Sequence, residues 1–514
     1  MRSLIASALV ALVLLTVPPA TPDRAVVRTA DGPVRGTVTA HSRTFQGIPY
    51  AAPPVGENRW RAPRPAHSWV STKDATKPGE VCLQRGLFLP GTPDFGSEDC
   101  LFLNVTTPAK PGRYPVLVWI HGGGFVYGSG DYYDARQLAE RGDVVVVTVN
   151  YRLGTLGYLG LPGLSGGGVF GLQDQQAALR WVRRNAAAFG GDPANVTLSG
   201  ESAGALSACA HLTSPTALGL FHKVIIQSGP CTLRWQPGAL LPSLPAGSLW
   251  IPRAEADRAG AERAAALGCP DADLACLRRL PASALLTNDL GVAPAYGGPL
   301  LPDEPAAAVR AGHTPRLPVL IGSNRDEHRA YLYEEITERS YPELIRAGYG
   351  EQADRVLAKY PAHGSPALAW AAVGTDAIWT CPTHRITGEL ARRMPVYAYE
   401  FRDRTAPILP PEIPVAGAYH AAELAYLFPH PAYPLNSAQL ALGERMQRYW
   451  AEFAHTGSTG WPTAPTVQGL DIPPTGIGPV DLAGEHHCDF WSEILGTEAH
   501  GGAGPAGVDR DRPH

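Results

Sequence analysis

Gly200-Glu201-Ser202-Ala203-Gly204 places one serine between two glycines. That spacing suits a hydroxyl held out on a tight turn between a strand and a helix, where it can attack a carbonyl carbon and carry an acyl group. The pattern alone is weak evidence, because Gly163-Leu164-Ser165-Gly166-Gly167 satisfies it too. Context separates the two. Val196-Thr197-Leu198 precedes Ser202 as a short β-like run, and an alanine-rich stretch from Ala203 to Leu212 follows it as a helix. Ser165 sits between Pro162 and a run of glycines, where neither element can form. Ser165 reads as a loop residue and Ser202 as the candidate nucleophile.

A hydroxyl attacking a carbonyl leaves negative charge on oxygen, which bare backbone N–H groups can hold. His121-Gly122-Gly123-Gly124-Phe125 supplies such groups directly after the apolar run Val116-Leu117-Val118-Trp119-Ile120. Gly123 and Gly124, with the N–H of Ala203, are the candidate oxyanion-hole donors. The alternative reading of the stretch is a flexible glycine turn.

These groups need a frame that brings several strand ends to one edge. Val116–Ile120 and Val144–Val149 are continuous apolar strands, and Val224-Ile225-Ile226 is another. Gln173 to Ala188 reads as a helix, with Ala177, Ala178, Trp181 and Val182 on its apolar side. Such alternation implies an α/β fold with a mainly parallel central sheet and helices on both faces. Residues 237–252 are rich in Pro and Leu and read as an irregular loop, and 254–268 as a helix ended by Gly268. With no internal repeat and no clean linker, residues 25–496 read as a single domain.

Composition narrows the function classes. The chain has 514 residues, 45% hydrophobic and 18% charged, which is a globular composition. A net charge of -4 gives no reason to expect nucleic acid or an anionic membrane as partner. No Cys/His cluster has metal spacing and no phosphate loop occurs, so no metal and no cofactor are expected. Arg2 is followed by an apolar run from Leu4 to Val17 and then by Pro18, Pro19 and Ala20. That run is too short to span a bilayer, and residues 1–24 read as a secretory signal peptide, with an uncleaved anchor as the alternative. No later stretch suggests a stable membrane anchor. Residues 497–514 lack periodicity and read as a disordered tail. Eight cysteines in an exported chain invite pairing, but counting gives no connectivity.

Several blocks resemble those of the type-B carboxylesterase family, which includes cholinesterases and bacterial p-nitrobenzyl-type esterases. Phe189-Gly190-Gly191-Asp192-Pro193-Ala194-Asn195-Val196, leading into the Ser202 motif, is similar to the family signature. Glu98-Asp99-Cys100-Leu101-Phe102-Leu103-Asn104-Val105 resembles its second signature. Phe45-Gln46-Gly47-Ile48-Pro49-Tyr50-Ala51 and Asn150-Tyr151-Arg152-Leu153-Gly154 resemble further family blocks. The resemblance runs from about residue 26 to 495 and implies the α/β-hydrolase fold.

The resemblance also implies partners for Ser202. Spacing cannot choose among sixteen histidines. In this fold the acid and then the histidine follow the serine. Gly417-Ala418-Tyr419-His420-Ala421-Ala422-Glu423-Leu424 resembles the family's catalytic histidine loop, which selects His420 as general base and acid. In Leu320-Ile321-Gly322-Ser323-Asn324-Arg325-Asp326-Glu327 the resemblance places the orienting acid at Glu327; Asp326 is the alternative and could instead hold neighbouring backbone. Glu201 and Ser228 take supporting positions. The resemblance implies the disulfides Cys82–Cys100, Cys269–Cys276 and Cys381–Cys488, and leaves Cys209 and Cys231 either bridged or as two buried thiols.

Cholinesterases carry a choline-binding Trp in the loop matching 83–99. Here that loop holds Phe88 and Phe95 but no Trp, which speaks against a quaternary ammonium pocket. Trp235 lines the acyl side or is a plain core residue. The reading is a secreted serine carboxylesterase for uncharged esters, with a small-molecule ester as partner. A lipase for longer chains and a non-catalytic adhesion protein are the alternatives. The oligomeric state stays open, a monomer being one choice.

Overall fold

Strands of Val, Ile and Leu without polar alternation are stable only where both faces are covered. The structure, a computed structural model, describes residues 23–86, 93–286, 293–408, 415 and 417–496. At its centre lies an eleven-stranded sheet whose interior strands include such runs. In chain order its strands are Thr37–Val38 (β1), Ser42–Pro49 (β2), Phe102–Pro108 (β3), Tyr114–Ile120 (β4), Val145–Val149 (β5), Gly191–Glu201 (β6), Lys223–Gln227 (β7), Val319–Asn324 (β8), Val396–Phe401 (β9), Val467–Leu470 (β10) and Gly478–Val480 (β11). In space they run β11-β10-β9-β8-β7-β6-β4-β5-β3-β2-β1. From β10 to β5 every neighbouring pair is parallel, and the pairs toward both edges are antiparallel.

The two-residue period of a strand sorts these apolar side chains onto two faces. In β4, Val116, Val118 and Ile120 enter one core cluster, while Leu117 and Trp119 enter the other. In β7, Val224 and Ile226 part from Ile225 in the same way. The first face is covered by the helices Phe170–Asn185 and Ala203–Thr213, through residues such as Leu179, Trp181 and Leu206. The second is covered by the helix Ser437–Thr456, through Leu442, Met446, Trp450 and Phe453.

Local pattern misjudged some limits. The strand expected at 196–198 extends over Gly191–Glu201, because Gly200 and Glu201 continue the ladder opposite Ile226 and Gln227. The helix expected over 173–188 begins at Phe170, whose side chain is buried, and tightens into a 3-10 turn at Ala186–Phe189. The stretch 237–252, expected to be irregular, contains two-residue strands at Gly247–Ser248 and Ile251–Pro252. They pair with Arg234–Trp235 and with the distant Ala295–Tyr296, partners invisible to a local window. The helix expected over 254–268 spans Arg253–Ala266.

The bridges Cys82–Cys100, Cys269–Cys276 and Cys381–Cys488 are present. Cys209 and Cys231 form a fourth, tying the helix after Ser202 to the segment after β7. Except for Asp23 and Arg24, the segment 1–24 lies outside the described residues, as does the tail 497–514. No helix among the described residues is long and apolar enough to cross a membrane.

Candidate active site

Ser202 sits where β6 ends and the helix Ala203–Thr213 begins, with φ 54° and ψ -124°. A non-glycine residue held there costs about 1–3 kcal/mol, so the surroundings must impose it. They do so from both sides: Ser202 N–H donates to Gln227 O at 2.9 Å, and its carbonyl accepts from Leu206 N at 2.9 Å. The flanking glycines have steric reasons. A methyl group at Gly204 would overlap the Ile120 carbonyl oxygen, and one at Gly200 would overlap the Gly204 backbone.

The glycine stretch after β4 lies against this turn. A Cβ on Gly122 would stand 3.0 Å from Ser202 Cβ and 2.6 Å from Glu201 Oε2. Gly123 has φ 99°, and a side chain there would strike the Tyr127 carbonyl. Its own carbonyl accepts from Val126 N and Tyr127 N at 3.0 Å each, which closes the loop and leaves the N–H groups of Gly123 and Gly124 without an internal partner among the described residues. Ala203 opens its helix, where an N–H has no intrahelical acceptor. Ser165 instead lines an open cleft with Trp60, Gln173 and Arg278, away from these residues.

Asn324 ends β8, and a short turn carries Glu327 into the 3-10 helix Glu327–Tyr331. Glu327 is fully buried. Its Oε1 accepts from Asn324 N at 2.8 Å and its Oε2 lies 2.7 Å from His420 Nδ1. An ionised carboxylate only accepts, so Nδ1 carries the proton and Nε2 is left as the acceptor. That Nε2 is buried without a hydrogen-bond partner among the described residues and stands 3.2 Å from Oε1 of Glu201, the residue before Ser202. The histidine loop is fastened to the acid loop: His420 N donates to Glu327 O at 3.1 Å, and Asn324 Nδ2 to Tyr419 O at 2.8 Å.

Asp326 does a different job. Its carboxylate accepts from Arg404 Nε and Nη2, both at 2.8 Å, and from Ala418 N at 3.1 Å, while its own N–H donates to Ala418 O at 2.9 Å. It secures backbone two residues before His420 and leaves the imidazole to Glu327.

Charge is concentrated here. Burial alone would push the His420 imidazole down, but the carboxylates of Glu201 and Glu327 outweigh it and hold the group up at about 9. Burial pushes Glu201 up to about 8, against the pull of His420. Each group therefore biases the protonation of the other across their 3.2 Å contact. Burial also raises Glu423, which accepts from Asn324 Nδ2 at 2.6 Å and Gln227 Nε2 at 3.1 Å.

Sequence reasoning assigned no part to Glu423, Gln227 or Asn324, although Glu423 lies in the block that selected His420. Ser228, at φ 51° just beyond β7, has a buried hydroxyl with no partner among the described residues. Trp235 is a core residue, its Nε1 donating to Pro245 O at 2.9 Å. Phe95 pairs through its backbone with Gln84, whereas Phe88 lies outside the described residues. His486 is buried between Asp376 and Glu400, far along the chain from the His420 block.

Residues 23–469 match the model of the carboxylesterase family. The chain belongs to that family. This carboxylesterase is 34% identical over 472 residues to the para-nitrobenzyl esterase of Bacillus subtilis (strain 168), covering 85% of this chain and 92% of that one. It is 32% identical to the acetylcholinesterase of Bungarus fasciatus, over 91% of this chain and 86% of the relative. The solved structure of a thermophilic PNB esterase superposes with a TM-score of 0.76 at 31% identity, over 91% of this chain and 100% of the other. A second PNB esterase structure gives 0.75 at 30% identity, over 91% of this chain and 99% of the other. The carboxylesterase thus has the α/β-hydrolase fold and is a carboxylic ester hydrolase.

Proposed function

We propose that this carboxylesterase hydrolyses uncharged carboxylic esters through an acyl-enzyme on Ser202. His420 Nε2 takes the Ser202 hydroxyl proton as Oγ bonds to the ester carbon. The carbonyl oxygen becomes negative against the N–H groups of Gly123, Gly124 and Ala203. The bond to the alcohol then breaks, and the proton on Nε2 passes to the departing alkoxide. Water deprotonated by the same nitrogen attacks the acyl carbon and releases the acid and Ser202. Glu327 holds Nδ1–H throughout and stabilises the imidazolium.

The observation that carries this reading is the pairing of Glu327 with His420 Nδ1, which turns the opposite nitrogen toward Glu201, the residue directly before Ser202 and its strained turn. The absence of Trp from residues 83–99 favours uncharged over cationic alcohols. Secretion is supported by the residues 1–24 pattern and by the four disulfides.

The test is labelling with a fluorophosphonate and turnover of a p-nitrophenyl ester series by wild type and Ser202→Ala. Wild type should label and prefer short acyl chains, and Ser202→Ala should do neither while melting close to wild type. Equal turnover by the variant would remove Ser202 from the reaction. Activity that rises only with long chains at a lipid–water interface would favour a lipase, and a wild type that fails to label would favour a non-catalytic role.

A further inference from the structure

The His420 ring has a second neighbour besides its carboxylates. Trp379 lies with its ring centroid 4.5 Å from that of His420, tilted by 43°. It belongs to a six-residue π-helical segment, Thr375–Thr380, between two α-helices. A π turn inserts an extra residue and re-aims the side chains that follow, and such turns are frequent at functional sites. The indole is also fastened. Its Nε1–H donates to His328 Nδ1 at 3.1 Å, and His328 is the residue directly after Glu327. Indole only donates, so His328 must present an unprotonated Nδ1. Burial pushes its imidazole down to about 3, which keeps it neutral at working pH.

The same segment is tied to the acid loop a second time, since His328 N donates to Thr375 Oγ1 at 3.0 Å. Gly374, just before the π turn, makes room for this arrangement: a methyl there would overlap the His328 ring. Trp370, at 4.6 Å, and Tyr331, at 5.0 Å, close around His328.

We infer that Trp379 is a positioning residue for His420, held by His328, and that its ring face stabilises the imidazolium formed when the Ser202 proton is taken. The inference rests on His420 being the base. A cation within about 6 Å of an indole centroid is attracted by the ring quadrupole. The other titratable groups around His420 are Glu201, Glu327, Glu423, His328 and Tyr331. The carboxylates supply the opposing charge. Trp379 supplies an uncharged face whose attraction for the cation does not depend on which of them is protonated.

The test compares Trp379→Phe, Trp379→Leu and His420→Gln by the pH profile of kcat/KM, with melting temperature as the check on folding. Losing the aromatic face should lower the midpoint of the acid limb by ~0.4–1 pH unit in Trp379→Leu, with kcat reduced and KM nearly unchanged. Trp379→Phe keeps a face and should hold the midpoint within about 0.3 unit of wild type. An unshifted midpoint in Trp379→Leu, or equal shifts in both, overturns the inference. If Trp379→Leu does not fold, the far-downfield proton of the His420–Glu327 hydrogen bond decides. Wild type and Trp379→Phe should both show it, and its loss in Trp379→Phe counts against the role of the ring face. His420→Gln separates the two readings. If it keeps wild-type activity, the base assignment fails; if it is inactive while Trp379→Leu titrates like wild type, only the role of Trp379 fails.

Discussion

Replacing Glu327 by Gln changes only one oxygen for an amide nitrogen, yet the surroundings leave that amide no good orientation. Glu327 uses both oxygens as acceptors, from Asn324 N at 2.8 Å and from His420 Nδ1 at 2.7 Å. A glutamine has one acceptor and one donor at these places. If its oxygen faces Asn324 N, its NH2 meets Nδ1 and drives the proton to Nε2, which then cannot accept from Ser202. If it flips, the NH2 meets the Asn324 N–H and leaves a buried donor unsatisfied at a cost of about 1–3 kcal/mol. In both cases the imidazolium loses the Glu327 charge and keeps only those of Glu201 and Glu423 nearby. The analogous wrong-tautomer change in serine proteases lowers kcat by about 10⁴, and a fall of ~10³–10⁴ is expected here. Asp326→Asn is the control, because an amide oxygen can still accept from Ala418 N while Arg404, half-exposed, turns to solvent. Its kcat should stay within about tenfold of wild type, with a loss of about 1–2 kcal/mol in stability. The assay is stopped-flow hydrolysis of a p-nitrophenyl ester, resolving acylation from deacylation, beside thermal melts of both variants. A Glu327→Gln enzyme within tenfold of wild type, or an Asp326→Asn enzyme as damaged as Glu327→Gln, would refute this account of the pair.

Gly204→Ala should lower the yield of folded protein and cost on the order of 2 kcal/mol or more, because its methyl overlaps the Ile120 carbonyl. Gly388→Ala, in the helix Cys381–Ala391 with nothing within 4 Å, should be neutral or stabilising by about 0.5–1 kcal/mol; equal melting temperatures for the two variants would contradict the steric argument. His486 stands 2.5 Å from Asp376 Oδ1 and 2.6 Å from Glu400 Oε1. Burial lowers this imidazole, but the two carboxylates prevail and raise it to about 9. A folded value above the unfolded one gives stability that is fully present below about pH 6.5 and is lost as pH rises toward 9. Melting temperature should therefore fall over that window, and His486→Gln should start lower and fall less; parallel curves would show that His486 is not the group responsible.

Parts of this molecule are legible because the chain writes them locally. The strand at Val116–Ile120 announces itself by apolar residues, since a strand covered on both faces has no place for polar ones. The turn at Ser202 announces itself by Gly200 and Gly204, because the helix, the strand and β4 crowd together there. His420 and Glu327 are different. Only resemblance to a family picked them out of the chain. Their contact spans 93 residues of sequence, and no periodicity connects them. Asp326 shows the difficulty most plainly: it neighbours Glu327 in sequence, and only the path of the Gly417–His420 loop sends one carboxylate to the imidazole and the other to Arg404 and Ala418 N.

Local residue patterns were enough for the layered α/β architecture, the serine turn between Gly200 and Gly204, and the glycine stretch after β4. Each depends on what neighbouring residues permit the backbone to do. Packing alone settled how the chain closes around those groups: the fourth disulfide, the contact between Glu201 and His420, and the indole of Trp379 held by His328. These are contacts between segments whose separation along the chain carries no local signal, and they exist because packing of the sheet and its helices brings the segments together.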